Sequence, residues 1–172
     1  MSIAIETLDA ASRDGFASAV APLFEGAPRF LARLADARPF GTWPGLFDAA
    51  RSIAQGMPEP EQVELVDAHP RLGAPAAAVS KLSFGEQGCD RDAAATLAAD
   101  VARERDRLAT ELERLNRAYE ARFGFRYCVH VAGRSRSELL PEMNAALARE
   151  RDSELHRALD AVVDIAEARS RG

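Results

Sequence analysis

The sequence is poor in the residues that most often mark redox or metal chemistry. Its 172 residues include only two cysteines, Cys89 and Cys128, which stand far apart. A disulfide framework or a zinc knuckle needs more cysteines at closer spacing, so we interpret the two as thiols in a reducing compartment. The three histidines, at positions 69, 130 and 156, show no paired spacing, and we expect no metal site.

The chain also lacks an excess of positive charge and any long apolar run. It carries 22 Lys and Arg residues against 27 Asp and Glu residues, with a net charge of −5, which gives no support to a nucleic-acid-binding protein. The N-terminal stretch MSIAIETLDAASRDG has neither the basic start nor the apolar core of a signal peptide. No stretch approaches the roughly 18 apolar residues of a membrane span. We therefore expect a cytoplasmic protein that binds neither nucleic acid nor membrane.

Familiar catalytic motifs are missing as well. The sequence has no Walker loop, no GxGxxG after a strand, no HExxH, no CxxC and no GxSxG. These motifs would have indicated a nucleotide, a zinc ion, a redox pair or a serine nucleophile. Any chemistry must therefore be sought in less familiar arrangements.

Helical periodicity runs through most of the chain. Ser12 and Thr42 stand where they can cap helices, and Ser135 with Glu138 matches a capping box. A long apolar stripe ends at Gly124, a natural residue just past a helix. With no repeat and no linker, the pattern predicts a single all-α domain over residues 1–172, a bundle of about seven to nine helices.

One segment breaks the helical pattern. The residues FRYCVHV, at 125–131, alternate apolar and polar side chains as a strand would. A lone strand has no partner for its backbone groups, so we predict an extended segment buried between helices. His130 lies in this segment and is expected to be buried and hydrogen bonded.

His69 is the candidate proton-handling residue. It closes an apolar-periodic segment and directly precedes Pro70, and residues before proline avoid the α region, so His69 should lie at a helix end. A carboxylate from the following loop, such as Glu86, can tune such an imidazole for acid–base work. The alternative is purely structural, a histidine satisfied by a backbone carbonyl. His156 is expected on the surface, and Arg169 by default complements the dipole of the last helix.

Five motifs stand in order along nearly the whole chain, namely ARPF at 37–40, AHPRLG at 68–73, SFGEQ at 83–87, LNRAYEARFGFRYCVHVAGRS at 115–135 and ALDAVVDIAEARS at 158–170. Together they resemble the OHCU decarboxylase family, enzymes that act on 2-oxo-4-hydroxy-4-carboxy-5-ureidoimidazoline in uric acid degradation. The run with Leu-Asn, Tyr and Arg-Phe-Gly-Phe is the longest and most specific. Departures are PRLGAP after the histidine, the Phe84 and Gly85 positions, and Ala-Arg-Ser in the closing helix.

The resemblance implies an all-helical fold and cofactor-free conversion of OHCU to (S)-allantoin. By motif position, His69 is the catalytic acid or base, Glu86 its partner carboxylate and Arg169 the residue that binds the ring carbonyl. The same positions imply a set of substrate-binding residues, namely Pro70, Ser83, Phe84, Gly85, Gln87, Tyr127, Cys128, Val129, His130 and Val131. The resemblance also implies a homodimer, and a hydroxyisourate hydrolase as pathway partner.

Two alternatives stay open at this point. A helical binding protein can keep the scaffold without the chemistry, although it has no need of His69, Glu86 and Arg169 together. A lyase for a related ureido or hydantoin acid is the other alternative, with Phe84 and Gly85 reshaping the pocket.

Overall fold

The protein is all-α over the part of the chain described by its structure, a computed structural model. The described residues are 3–74 and 99–171, and among them there is no strand. Eight α-helices are formed there, in agreement with the predicted fold class. Their bounds are α1 Ile5–Ala10, α2 Arg13–Val20, α3 Pro28–Asp36, α4 Trp43–Gly56, α5 Glu59–Ala68, α6 Ala99–Phe123, α7 Arg136–Ala146 and α8 Arg151–Ser170, with a 3-10 helix at Ala21–Phe24.

The chain divides into two compact units. The first comprises Met1–His69 and Leu155–Gly172, and the second comprises Pro70–Glu154. The prediction of one domain over residues 1–172 stays a prediction. No helix within the described residues is both long and apolar enough to cross a membrane.

The predicted helix starts are confirmed at three places. The Ser12 hydroxyl accepts from the backbone N–H of Gly15 at 3.1 Å, and Thr42 does the same for Gly45 at 3.0 Å. Before α7, the carboxylate of Glu138 accepts from the backbone N–H of Ser135 at 2.8 Å. Each contact satisfies a backbone donor that the first helical turn would otherwise leave without a partner.

The core of the first unit consists of aromatic and aliphatic side chains that recur at helical spacing and are buried. The rings of Phe24 and Phe30 lie 4.8 Å apart, between the 3-10 helix and the start of α3. The fully buried side chains of α8 in this unit include Leu159, Val162 and Val163. This packing fixes the 3-10 helix and α8, the two elements that supply charged groups to the candidate site.

The turn after α3 is held by two side chains. The guanidinium of Arg38, within the ARPF motif, donates to the backbone carbonyls of Ala35 at 2.8 Å and Ala11 at 2.5 Å. Asp9 accepts from the backbone N–H groups of Phe40 and Gly41, at 3.0 and 2.9 Å. This motif therefore serves the fold of the first unit.

In the second unit, an aromatic cluster surrounds Tyr119 of α6. Its ring centroid lies 4.6 Å from that of Phe123, 5.7 Å from Phe125 and 5.1 Å from Tyr127. The Tyr119 hydroxyl donates to the fully buried carboxylate of Glu154 at 2.8 Å. Residues 126–131 are neither helix nor strand, so the break in the helical pattern that the sequence indicated is present here.

The residues just after His69 are fastened to α6 within the second unit. Arg71 forms a bidentate pair with Glu120, at 2.5 and 2.8 Å, and the Asn116 amide donates to the carbonyl of Leu72 at 3.0 Å. Gly73 has a φ of +81°, and a Cβ there would come within 2.5 Å of Leu112. Both the backbone conformation and the close approach therefore require glycine.

Candidate active site

His69 lies at the C-terminal end of α5, as predicted from the proline after it. Its φ of −77° and ψ of 139° are extended, because Pro70 disfavours the helical region for the preceding residue. The side chain is buried, with 4% of its surface exposed. Its Nδ1 lies 3.2 Å from the carbonyl oxygen of Leu65, one turn earlier in the same helix.

The contact with Leu65 sets the tautomer of His69. A carbonyl oxygen can only accept, so Nδ1 carries the hydrogen and Nε2 carries the lone pair in the neutral ring. The contact expected of a purely structural histidine is therefore present. It also leaves the second nitrogen in the form that accepts a proton.

Burial is the main influence on the protonation of His69. It lowers the pKa of the imidazole to about 4, because the charged form loses its hydration, and the positive charge of Arg169 acts in the same direction. The hydrogen bond to the Leu65 carbonyl and the carboxylate of Glu25 raise the pKa in opposition. At neutral pH the ring is therefore neutral.

Arg169 is brought to the same place from the last turn of α8. Only 1% of its side chain is exposed. Its Nη1 donates to the carbonyls of Pro22 and Leu23, at 3.1 and 3.2 Å, and its Nη2 donates to a carboxylate oxygen of Glu25 at 2.8 Å. Beyond the helix-dipole role expected by default, the guanidinium is thus a buried cation bound to the 3-10 turn.

Glu25 is the site residue that the sequence did not reveal. It comes directly after the 3-10 helix with a φ of +52°, in the left-handed region that non-glycine residues rarely adopt. Its side chain is 13% exposed. The ion pair joins residues 144 positions apart in the sequence, and no local pattern signals such a contact. The left-handed conformation is visible only in the structure.

The first unit thus brings together two of the three predicted catalytic residues, His69 and Arg169, with Glu25 as an additional carboxylate. The third, Glu86, lies outside the described residues, as do the predicted substrate-binding residues Ser83, Phe84, Gly85 and Gln87. Among the described residues, no group of three or more His, Cys, Asp and Glu side chains could hold a metal ion.

The remaining predicted substrate-binding residues belong to the second unit. These are Pro70 and the segment from Tyr127 through Cys128, Val129 and His130 to Val131. Tyr127, Cys128 and Val131 are buried, whereas Val129 and His130 are partly exposed.

One expectation for this segment needs correction, since His130 is only partly buried. The backbone carbonyls of His130 and Val131 accept from the Arg134 guanidinium at 2.7 and 3.1 Å. His156 is exposed on α8, as expected.

A buried histidine whose pKa is lowered by burial and by a buried arginine is a candidate acid–base residue, because perturbed pKa values cluster at functional sites. The family model of OHCU decarboxylase matches residues 9–171 of the chain. The chain therefore belongs to the OHCU decarboxylase family. It is an enzyme of the carboxy-lyase class.

Relatives from two haloarchaea are similar over most of their length, and both are named 2-oxo-4-hydroxy-4-carboxy-5-ureidoimidazoline decarboxylase. The protein of Halalkalicoccus jeotgali is 27% identical over 171 residues, which cover 97% of this chain and 89% of the relative. The protein of Haloferax volcanii is 26% identical over 156 residues, which cover 91% of this chain and 87% of the relative.

Two crystal structures share the fold. One is of OHCU decarboxylase in the presence of (S)-allantoin, with a TM-score of 0.65, 22% identity, and coverage of 93% of this chain and 96% of the other. The other is of (S)-allantoin synthase, with a TM-score of 0.66, 18% identity, and coverage of 98% of this chain and 53% of the other.

Proposed function

We propose that this chain catalyses the cofactor-independent decarboxylation of OHCU to (S)-allantoin in urate degradation. His69 is the acid–base residue, Arg169 binds the anionic substrate, and Glu86 assists the histidine. The observation that carries the proposal is the pairing of a buried, neutral His69 with a buried Arg169 in a chain of this family. The motif positions of the three residues support their roles.

The protonation state of His69 gives the order of its steps. OHCU bears a hydroxyl and a carboxylate on one ring carbon. Neutral Nε2 first takes the hydroxyl proton and becomes an imidazolium. The bond to the carboxylate then breaks and carbon dioxide leaves. The two bonding electrons form a double bond to the neighbouring ring carbon, whose C=N pair moves onto the ring nitrogen. The imidazolium gives its proton to that carbon while the alkoxide closes to a carbonyl, and water donates a proton to the nitrogen.

The fixed position of His69 accounts for a chiral product. The backbone at the end of α5 and the Leu65 contact hold the imidazole in one orientation. A proton delivered from one fixed atom reaches one face of a planar intermediate, and the (S) product results from attack on that face. Free decay of OHCU in water has no such preference.

Arg169 supplies the positive charge that the reaction needs. Negative charge is present on the substrate carboxylate and then develops on the ring as carbon dioxide leaves. A guanidinium held in a buried site stabilises such charge far better than one in water, because it is already oriented when the charge develops. A bound anion near Arg169 would also raise the pKa of His69, since it offsets the positive charge that lowers it.

The wider setting of the enzyme is part of the same proposal. The predicted homodimer, the cytoplasmic location and a hydroxyisourate hydrolase that acts before this chain are expected from the resemblance. Ser83, Gln87 and the segment 127–131 are proposed to contact the carboxylate and ureido groups, which need directional donors and acceptors.

The test uses circular dichroism of OHCU made freshly from urate with uricase and a hydroxyisourate hydrolase. We expect the wild-type protein to give a rapid (S)-allantoin signal, and His69→Ala to lose it while keeping the far-UV spectrum of a folded helical protein. His156→Ala, which alters an exposed histidine on α8, is the matched control and should behave as wild type.

Two other outcomes would contradict the proposal. Decay of OHCU that wild-type protein does not accelerate would reject OHCU as the substrate and favour a related ureido or hydantoin acid. Full activity in His69→Ala would remove His69 from the chemistry.

A further inference from the structure

We propose that Glu25 is a positioning residue of this site, which holds the Arg169 guanidinium in one orientation for the substrate. This inference rests on the proposed function, because it assigns Glu25 a part in the binding of the same anion. The 3-10 turn of the first unit provides the geometry for it.

The first observation is the number of contacts that fix the guanidinium. Three oxygen atoms from one short turn accept from it, the carbonyls of Pro22 and Leu23 at Nη1 and the carboxylate of Glu25 at Nη2. A planar guanidinium bound at both terminal nitrogens cannot rotate about its Cζ–Nε bond without breaking these contacts. Glu25 is the one side-chain acceptor among the three, so it is the contact that a substitution can move or remove.

The second observation is the backbone of Glu25 itself. Its φ of +52° and ψ of 25° lie in the left-handed region, where a side chain with a Cβ costs roughly 1 kcal/mol or more. Gly26, the next residue, is also left-handed, with a φ of +77°. A glycine or asparagine at position 25 would satisfy the backbone more easily, so the glutamate is best explained by what its side chain does.

The third observation is the closeness of His69. The charges of Glu25 and Arg169 act on this imidazole in opposite directions, so both lie near it, and the Leu65 carbonyl is its hydrogen-bond acceptor. We expect Glu25 to act on the substrate through Arg169, whose Nη2 donates to its carboxylate.

The test separates the position of the carboxylate from its charge. Glu25→Gln keeps the length and an acceptor oxygen but removes the charge, whereas Glu25→Asp keeps the charge but withdraws it from Nη2 by one methylene. We expect KM for OHCU to rise at least about tenfold in Glu25→Asp and Glu25→Ala, toward the roughly hundredfold that misplacing a substrate-binding group can cost. Glu25→Gln should stay close to wild type, and kcat should fall less than kcat/KM.

The matched control is the exposed pair of Arg33 and Glu61 in the same unit. Its N–O distance is 2.7 Å, and 47% of the Arg33 side chain is exposed. Glu61→Asp, Glu61→Gln and Glu61→Ala should leave KM unchanged. A KM that responds equally at positions 25 and 61 would overturn the inference, as would a Glu25→Asp variant with wild-type KM.

A measurement without substrate distinguishes failure of this inference from failure of the proposed function. We would record the ¹⁵N signals of the Arg169 guanidinium by NMR, assigned by their loss in Arg169→Lys. Slow rotation in wild type and Glu25→Gln, with fast rotation in Glu25→Asp and Glu25→Ala, is the expected result. Rotation that stays slow in all four proteins would overturn the inference. If wild type does not turn over OHCU, the proposed function is wrong, and the NMR comparison alone decides whether Glu25 fixes Arg169.

Discussion

Two ion pairs in the first unit have nearly the same shortest N–O distance and differ most in the burial of the arginine. Arg169 and Glu25 lie 2.8 Å apart with side chains 1% and 13% exposed. Arg33 and Glu61 lie 2.7 Å apart with side chains 47% and 19% exposed. The N–O distance alone cannot distinguish the two pairs. Burial determines how much each pair affects stability and neighbouring groups.

Water screens the exposed pair, and such pairs add little to stability. Burial removes the hydration of Arg169 and Glu25, so each depends on the other, and loss of one partner leaves an uncompensated charge in the interior. The same burial makes the charges strong enough to act on His69, whose pKa responds to both of them. For these two ion pairs, burial rather than the N–O distance determines the effect on stability and on the pKa of His69.

The largest expected effect comes from deleting the cation of each pair. Arg169→Ala should lower the free energy of unfolding by about 3 to 5 kcal/mol, because it breaks a buried ion pair by removing one of its charges. Arg33→Ala should leave the unfolding midpoint close to wild type. Urea unfolding followed by circular dichroism measures both. Equal losses in the two variants would show that burial does not distinguish the pairs.

A somewhat smaller effect is expected from pH, through His69. Its pKa in the folded protein is lowered to about 4, from about 6.5 in an unfolded chain. As pH falls from 6.5 to 4, His69 becomes protonated in the unfolded state but stays neutral in the folded state. The contribution of His69 to the free energy of unfolding is therefore fully present above pH 6.5. It is lost as pH falls toward 4, by on the order of 3 kcal/mol.

Urea unfolding at several pH values checks this dependence. His69→Gln should flatten the curve between pH 6.5 and 4, and His156→Gln, at an exposed histidine, should leave its slope as in wild type. Carboxylates such as Asp36 and Glu61, whose pKa values are lowered by Arg13 and Arg33, also titrate at the acid end. Their contribution to the slope is the same in each variant, so it cancels in the comparison. A slope unchanged by His69→Gln would contradict the lowered pKa.

The smallest of these effects extends the comparison to the second unit. Tyr119→Phe removes the hydroxyl that donates to the buried carboxylate of Glu154, and should cost about 2 kcal/mol, as expected for a hydrogen bond to a charged group. Thr110→Val removes an exposed hydroxyl on the same helix, bonded to the Asp106 carbonyl, and should change stability little. Similar losses in the two variants, measured by urea unfolding, would refute the importance of burial in this unit.

Local chemistry accounts for the parts of the fold that could be predicted. Ser12, Thr42 and the Ser135–Glu138 pair are caps, and a cap is a signal within four residues. The place of His69 at a helix end could be predicted from Pro70 alone. The first helix, α1, was not predicted, and the residue before it, Ala4, makes no side-chain cap. The start of α1 therefore lacks the local signal that marks the other three starts.

The residues of the candidate site could be predicted only where they occupy a position of a family motif. His69 and Arg169 were identified by their resemblance to family positions, and the structure brings both into the first unit. Glu25 was missed because its role depends on a contact with a residue 144 positions away and on a left-handed backbone. The prediction that His130 is buried was wrong for a similar reason. An alternation of apolar and polar residues does not show which other parts of the protein cover each side chain.

The proline after His69 has a consequence for how the enzyme can change over evolution. Because Pro70 stops α5 at His69, insertions and deletions further along the chain shift no residue of that helix. The direction of the imidazole is thereby insulated from the length of the chain beyond Pro70. Under the proposed function, residues after Pro70 could change in number or type while the His69 side chain keeps its orientation at the end of α5.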